Sequence, residues 1–142
     1  MFKKILVPTD ASEYSCRALK TALELARVFH AEIELLFVMS PPEAYWDPYV
    51  SRSFVVPMQE IERGGELALE ATLEGIDVGD VLLRKKKLSG HPATIIIEEV
   101  EKENIDLIVM GSHGHGPIAG SILGSISQRV LQRAKCPVFI VK

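Results

Sequence analysis

Short apolar runs alternate with segments of helical character along this whole sequence. The apolar runs are rich in β-forming side chains, and they cover residues 3–7, 32–39, 81–88, 106–110 and 138–141. The segments between them are predicted helices, which end near residues 29, 75, 104 and 134. Strands that alternate with helices predict an α/β fold in which helices cover both faces of a parallel sheet. At 142 residues, the chain is expected to form one domain, residues 1–142.

Local signals indicate where several of these elements begin and end. Ser12 is the expected N-cap of the first helix, and Pro92 falls in the first turn of the third. Pro8 is expected to close the first strand. Gly64 and Gly65 weaken the second helix.

Composition and charge exclude several classes of protein. A net charge of −3 and a pI of about 5.8 argue against a nucleic-acid-binding protein. No apolar run reaches the length of a membrane span, and residues 1–4 lead directly into a strand, so neither a membrane protein nor a signal peptide is expected. Cys16 and Cys136 form no metal or redox motif, which favours plain thiols in a reducing cytoplasm.

A glycine-rich loop, GSHGHGPIAGSILGS at residues 111–125, joins the predicted strand 106–110 to the last helix. A helix N-terminus offers unpaired N–H groups and a positive dipole end, which attract anions, and glycines let the backbone come close to a phosphate. The loop has no lysine or arginine, so backbone dipoles, aided by a cation, would hold the phosphate. It matches neither the P-loop nor the dinucleotide pattern, and a plain flexible connection is the alternative.

Asp10 follows the first strand and is the second candidate binding residue. In open α/β sheets, ligands bind beyond the carboxyl ends of the strands, where the strand order reverses. If the first and fourth strands are neighbours there, Asp10 and residues 111–125 face the same crevice. Taken alone, Asp10 suits a turn or a helix cap as well as it suits a ribose contact or the orientation of a metal ion.

Three further stretches carry weaker signals. The segment 40–57 holds four prolines and four aromatic residues and fits no period, so it is expected to be a loop over a ligand, at a subunit contact or packed on the surface. The basic run 84–87 is expected to be a solvated sheet edge, with a phosphate or nucleic-acid patch as the alternative. The apolar last strand, Val138–Val141, would invite pairing as an exposed edge, which predicts a two-fold homodimer.

These residues resemble the universal stress protein family over essentially the whole chain. Three stretches carry the resemblance: KILVPTDAS at residues 4–12, DLIVMGSHG at 106–114 with Gly124-Ser125 after it, and CPVFIV at 136–141. The spacing of Gly111, Gly114 and Gly124-Ser125 is similar to the signature of the ATP-binding branch of that family. Members without this signature are thought not to bind nucleotide.

The resemblance implies a fold and an assembly. The expected fold is a single-domain, open, twisted five-stranded parallel sheet in the order 3-2-1-4-5 with helices on both faces. This is a Rossmann-like sheet similar to that of the adenine nucleotide alpha hydrolases. The family also implies dimerisation through the fifth strand, and hence a homodimer through Val138–Val141.

The resemblance further implies a set of contacts to an adenine nucleotide. Residues expected to border the nucleoside are Pro8, Thr9, Asp10 on the ribose, Val38 through its backbone, Met110 and Gly111. Residues expected near the phosphates are Gly114, Gly124, Ser125, the N–H of Ile126, and His113. For His113, a role in bracing the loop is the alternative. Mg²⁺ or Mn²⁺ on the phosphates would fit a loop without lysine. Gly116-Pro117 in the spacer leaves ATP, ADP and AMP all open as ligands.

The sequence offers no convincing catalytic constellation. His113 and His115 could act as a base, or as metal ligands with His91, but nothing places them around a third ligand. The expected function is that of a nucleotide-dependent regulatory or stress-response protein with an unidentified protein partner, in which ATP is a signal. A slow or partner-dependent ATPase is one alternative.

Two other classes of protein are alternatives. An adenylating enzyme would carry a Ser-Gly-Gly-type loop after the first strand, where this chain has residues 8–12, PTDAS. A structural dimerisation module would leave the crevice empty.

Overall fold

The computed structural model describes residues 1–40, 58–115 and 122–142. Within these ranges five strands, all paired in parallel, form one sheet in the predicted order β3-β2-β1-β4-β5. The strands are β1 (Lys4–Thr9), β2 (Glu32–Met39), β3 (Leu83–Ser89), β4 (Leu107–Gly111) and β5 (Val138–Val141). The strand order reverses between β1 and β4, as the ligand argument requires.

Helices cover both faces of this sheet. The described residues form α1 (Glu13–Phe29), α2 (Met58–Leu73), α3 (Pro92–Lys102) and α4 (Ser125–Arg133). On one face, Ile5, Val7 and Val109 belong to a core with residues of α1 and α2. On the other face, Leu6 and Ile108 belong to a second core with residues of α3 and α4. Neighbouring strand residues therefore alternate between two buried cores, which confirms the expected α/β fold.

The local signals at element ends have mixed outcomes in the structure. Ser12 is the N-cap of α1 as predicted, and its Oγ accepts the N–H of Ser15 at 3.2 Å. Pro8 does not close β1, because the ladder with β2 continues through Pro8 and Thr9. α2 runs through Gly64 and Gly65, and it packs closely at Gly65, where a Cβ would lie 3.0 Å from Lys87 Cδ.

Two predictions concern residues outside the described ranges. The loop expected at residues 40–57 falls there except for Ser40, and so does Gly116-Pro117. In the part of the chain that the structure describes, no helix is long and apolar enough to cross a membrane.

The basic run of β3 is only partly the solvated edge that its sequence predicts. β3 is an edge strand, and Arg84 and Lys85 are exposed. Lys86 instead faces α3, where its Nζ bonds Glu99 and lies 3.3 Å from Glu103 Oε1. Glu99 is 2% exposed. Lys86 is therefore held within a partly buried ion cluster on the α3 side of β3.

Glu34 of β2 adds a third carboxyl group to this cluster. Burial, together with the adjoining Glu99 carboxylate, raises the pKa of Glu34 to about 8. Burial opposes ionisation of Glu99 as well, but hydrogen bonds from Glu34 and Lys86 outweigh it and hold the pKa of Glu99 below its ordinary value. Glu34 therefore keeps its proton at neutral pH and donates it to the Glu99 carboxylate.

Replacing Glu34 by glutamine should remove a pH dependence of folding. The raised pKa means that the native state binds this proton more tightly than the unfolded chain, so the free energy of unfolding falls as pH rises from about 5 through about 8. Each unit of pKa difference is worth about 1.4 kcal/mol. The amide of Glu34→Gln still donates to Glu99 without titrating. Urea denaturation at pH 6 and pH 9 should therefore show a smaller loss of stability in the variant.

A matched control lies on the same strand. Glu32 forms a partly exposed ion pair with Lys4 at 3.7 Å, and Glu32→Gln should keep the wild-type pH dependence. Equal losses of stability in wild type and Glu34→Gln between the two pH values would contradict the assignment of the proton to Glu34.

Candidate functional site

A crevice lies beyond the carboxyl ends of β1, β2 and β4, where the strand order reverses. Its empty volume, including the open mouth, is about 550 Å³. The ends of these strands, the loops after β1 and β4, and the first turns of α3 and α4 contribute its walls. Asp10 and Gly114 both line it, so the two candidate loops face the same crevice as expected.

Most of the residues expected at the site line this crevice. They are Pro8, Thr9, Asp10, Val38, Met110, Gly111, His113, Gly114 and Ile126. Gly124 and Ser125 do not line it but stand at the entrance of α4. There the Gly124 N–H donates to Ser112 O at 2.7 Å, so this entrance is tied to the loop that does form the wall.

The crevice also has walls that the sequence reasoning missed. These residues are Ser15, Leu36, Phe37, Pro92, Ile96 and Ser127. Leu36 and Phe37 precede Val38 on β2, so the strand pattern could have indicated them. Pro92 and Ile96 belong to a helix that no binding motif marks, and only the packing of α3 brings them to this site. Together with Met110 they make much of the wall apolar.

Asp10 joins the turn after β1 to the glycine-rich loop. Its Oδ1 accepts the Ser12 N–H at 2.9 Å and the Ser15 hydroxyl at 2.8 Å, and its Oδ2 accepts the His115 N–H at 3.0 Å. Burial opposes ionisation of Asp10, but the hydrogen bonds from Ser12 and Ser15 outweigh it and hold its pKa below the ordinary value. Asp10 is therefore an ionised acceptor at the mouth of the crevice, and it also fills the turn role that its sequence context suggested.

Two glycines of the loop are required by close packing. A Cβ on Gly111 would lie 2.7 Å from the Cβ of Tyr14, and one on Gly114 would lie 2.3 Å from Asp10 Oδ2. At Gly111 the neighbours include the backbone of Tyr14, so a side chain would require the backbone to move, whereas at Gly114 the Asp10 carboxylate would have to shift. Neither residue has a positive φ, so close approach is the reason for glycine at both positions.

His113 is braced within the loop. Its Nδ1 lies 2.9 Å from Ser112 Oγ, and its ring lies against Tyr14 with the centroids 5.3 Å apart. Behind Tyr14, the Arg17 guanidinium lies 5.4 Å from the ring centroid. These contacts support the bracing role that the sequence left open, while His113 also lines the crevice.

Among the described residues, the N-terminus of α4 has no side-chain cap, so it presents backbone donors beside this loop. Its N-cap, Gly124, provides no side-chain hydrogen bond, and the first turn holds no acidic residue. Ser127 of that turn instead ties α4 to β4, since its hydroxyl donates to Gly111 O at 2.8 Å. Such a helix start suits an anion.

A protein-held metal centre has no support from the described residues. In residues 1–40, 58–115 and 122–142, no three His, Cys, Asp or Glu side chains are grouped as metal ligands would be. What these ranges do provide is an apolar wall, an ionised carboxylate and an uncapped helix start around one crevice. This combination suits a ligand with a flat apolar part, hydroxyl groups and an anionic group.

Comparison with known proteins gives a consistent result. A model of the universal stress protein family matches residues 1–142. Universal stress protein MJ0531 of Methanocaldococcus jannaschii is 33% identical over 149 residues, covering 100% of this chain and 83% of the relative. The solved structure of MJ0577 from the same organism superposes with a TM-score of 0.81 at 29% identity, covering 100% and 96% of the two chains. A universal stress protein in complex with cAMP has a TM-score of 0.66 at 26% identity, covering 99% and 96%.

Proposed function

This chain belongs to the universal stress protein family, and from that premise we propose that it is an adenine-nucleotide-binding regulatory protein. The observation that carries the proposal is the crevice between Asp10 and the glycine-rich loop, with its apolar wall and the uncapped start of α4 beside it. The structure in complex with cAMP supports the ligand class, because cAMP is an adenine nucleotide. ATP is the proposed ligand of the present chain, and ADP and AMP are the alternative ligands.

Each part of the nucleotide has a proposed contact. The base lies against the apolar wall and meets the backbone of Val38 near the end of β2. The ribose hydroxyls donate to Asp10, whose lowered pKa keeps it an acceptor. The phosphates lie against the Gly114 backbone and the N–H groups of Ser125 and Ile126, at the positive end of α4.

A divalent cation is part of this proposal. Mg²⁺ or Mn²⁺ would bind the phosphates, as these cations commonly do when a site supplies few ligands of its own. The loop has no lysine or arginine to offset the phosphate charge, so a bound cation would supply that compensation. The chain's own part is to position the nucleotide through Asp10 and the backbone of the loop.

We propose that the protein acts as a homodimer paired through β5. β5 is an edge strand, and Phe139 at its centre is 46% exposed. An apolar edge strand is stabilised when a second copy pairs with it around a two-fold axis. A nucleotide-dependent change of the surface around the loop would be read by a regulatory protein partner, in the cytoplasm, where Cys16 and Cys136 stay reduced.

Calorimetric titration with ATP, ADP and AMP, with and without Mg²⁺, tests the proposed function. The protein is first stripped of ligand by denaturation and refolding. We expect dissociation constants in the micromolar range, about −8 kcal/mol of binding free energy. Absence of binding to correctly refolded protein would contradict the proposal and favour a structural dimerisation module. Substantial partner-free turnover of ATP would favour an ATP-using enzyme.

A further inference from the structure

His115 is bonded twice to Asp10. Its N–H donates to Asp10 Oδ2 at 3.0 Å, and its ring Nε2 lies 2.8 Å from the carbonyl oxygen of Asp10. Because a carbonyl oxygen can only accept, Nε2 carries the proton and donates it in this contact. The two bonds join the loop after β4 to the loop after β1 across the mouth of the crevice.

These bonds leave the Asp10 carboxylate little free capacity. A carboxylate offers about four acceptor positions. The Ser12 N–H, the Ser15 hydroxyl and the His115 N–H already occupy three of them. Two hydroxyl groups of a ribose need two acceptor positions, so one existing bond must break when both donate to Asp10.

The bond from His115 is the one that can be released at least cost. The Ser12 and Ser15 bonds belong to the N-cap of α1, where both serines are buried. Gly114 and His115 are exposed, so moving them away uncovers little apolar surface. The arrangement in which His115 is bonded to Asp10 also depends on glycine at position 114, because a Cβ there would lie 2.3 Å from Asp10 Oδ2.

We propose that His115 and Asp10 form an autoinhibitory latch that the nucleotide must open. The inference rests on the proposed function, since it concerns the regulation of the same crevice. In the free protein the latch occupies the acceptor that the ribose needs, so the apparent affinity is reduced by the fraction of closed molecules. A partner that captured the His115 side chain would raise nucleotide affinity without touching the nucleotide.

Titration of His115→Ala with ATP, ADP and AMP tests the latch. The variant loses the ring bond to Asp10 O, and an exposed histidine can be replaced without damage to the core. Loss of one such bond should tighten nucleotide binding by roughly threefold to tenfold. His30→Asn is the matched control. His30 is exposed at the C-cap of α1, with a φ of 54° that asparagine tolerates, and lies outside the crevice.

Histidine ¹⁵N spectra give a second readout that does not depend on affinity. In the free protein, His115 should be protonated at Nε2, and saturating nucleotide should change its signals. Tighter nucleotide binding by His115→Ala than by wild type, with the affinity of His30→Asn unchanged, supports the latch. Equal or weaker binding by His115→Ala overturns the latch and leaves the proposed function standing. Absence of binding in both wild type and His115→Ala overturns the two together.

Discussion

Replacing Gly124 by valine is expected to raise the dissociation constant for nucleotide roughly hundredfold. This is the effect expected when two charged hydrogen bonds to the phosphates are lost. Gly124 is the N-cap of α4 and has an extended backbone, with φ −69° and ψ 163°, which valine adopts without strain. A Cβ there would lie 3.4 Å from both His113 Cα and Ser112 O, which is ordinary contact. The two methyl groups beyond it would crowd the entrance of α4, beside the N–H groups that are proposed to bind the phosphates.

The fold should tolerate this change, so binding and stability are measured together. Calorimetric titration with ATP gives the affinity, while circular dichroism and urea denaturation report the fold. Gly124→Ala, which adds only the Cβ, should have an intermediate effect. Gly64→Ala is the control, because nothing lies within 4 Å of a Cβ at that helical position. It should keep wild-type affinity and gain about 0.5–1 kcal/mol of stability. Wild-type affinity in Gly124→Val would remove this helix entrance from the binding mechanism.

Replacing Phe139 by aspartate is expected to convert the dimer into monomers. In the proposed pairing, each β5 buries its Phe139 against the other copy, so the substitution places two unpaired carboxylates at one interface. Burying such charges costs several kcal/mol, which should raise the dimer dissociation constant roughly hundredfold or more. Phe139 is 46% exposed in the protomer, so the protomer itself should lose only about 1 kcal/mol.

The structure also shows which residue of β5 gives the cleaner test. Ile140 packs against the core formed with α3 and α4, so Ile140→Asp would damage the protomer as well as the interface. Sedimentation velocity over a range of concentrations measures the oligomeric state of Phe139→Asp. Leu67→Asp is the control, because Leu67 is 55% exposed on α2 and lies outside the proposed interface. A wild-type-like dimer of Phe139→Asp would contradict the assignment of the interface to β5.

Much of the fold could be predicted from the sequence. β2 and β5 have the predicted bounds, and the strand order implied by the family resemblance is confirmed. These predictions succeed because apolar runs and helical periods report local burial, and because Ser12 acts on a backbone N–H only three residues away. The family resemblance was recognised from stretches that span β1, β4 and β5, together with the residues that follow β1 and β4.

The candidate site could be predicted only in part. Asp10 and the glycine-rich loop were selected because each follows a strand end, and the family resemblance then implied roles for His113 and Gly114. All three residues line the crevice. Pro92 and Ile96 were missed because no local pattern indicates where a helix packs over a distant strand. The basic run of β3 was expected to be solvated, but Lys86 points toward Glu99 on α3, which the sequence of β3 alone cannot show.

The sequence by itself determined the order and type of the elements, the parallel sheet and the two loops that border the crevice. Periodicity, capping and glycine placement act over a few residues, so they can be read along the chain. The tertiary structure alone decided the pairing of Glu34 with Glu99, the close approach of Gly111 to Tyr14 and the contact of His115 with Asp10. Those contacts join residues far apart in the chain, and their distances depend on how the helices cross the sheet.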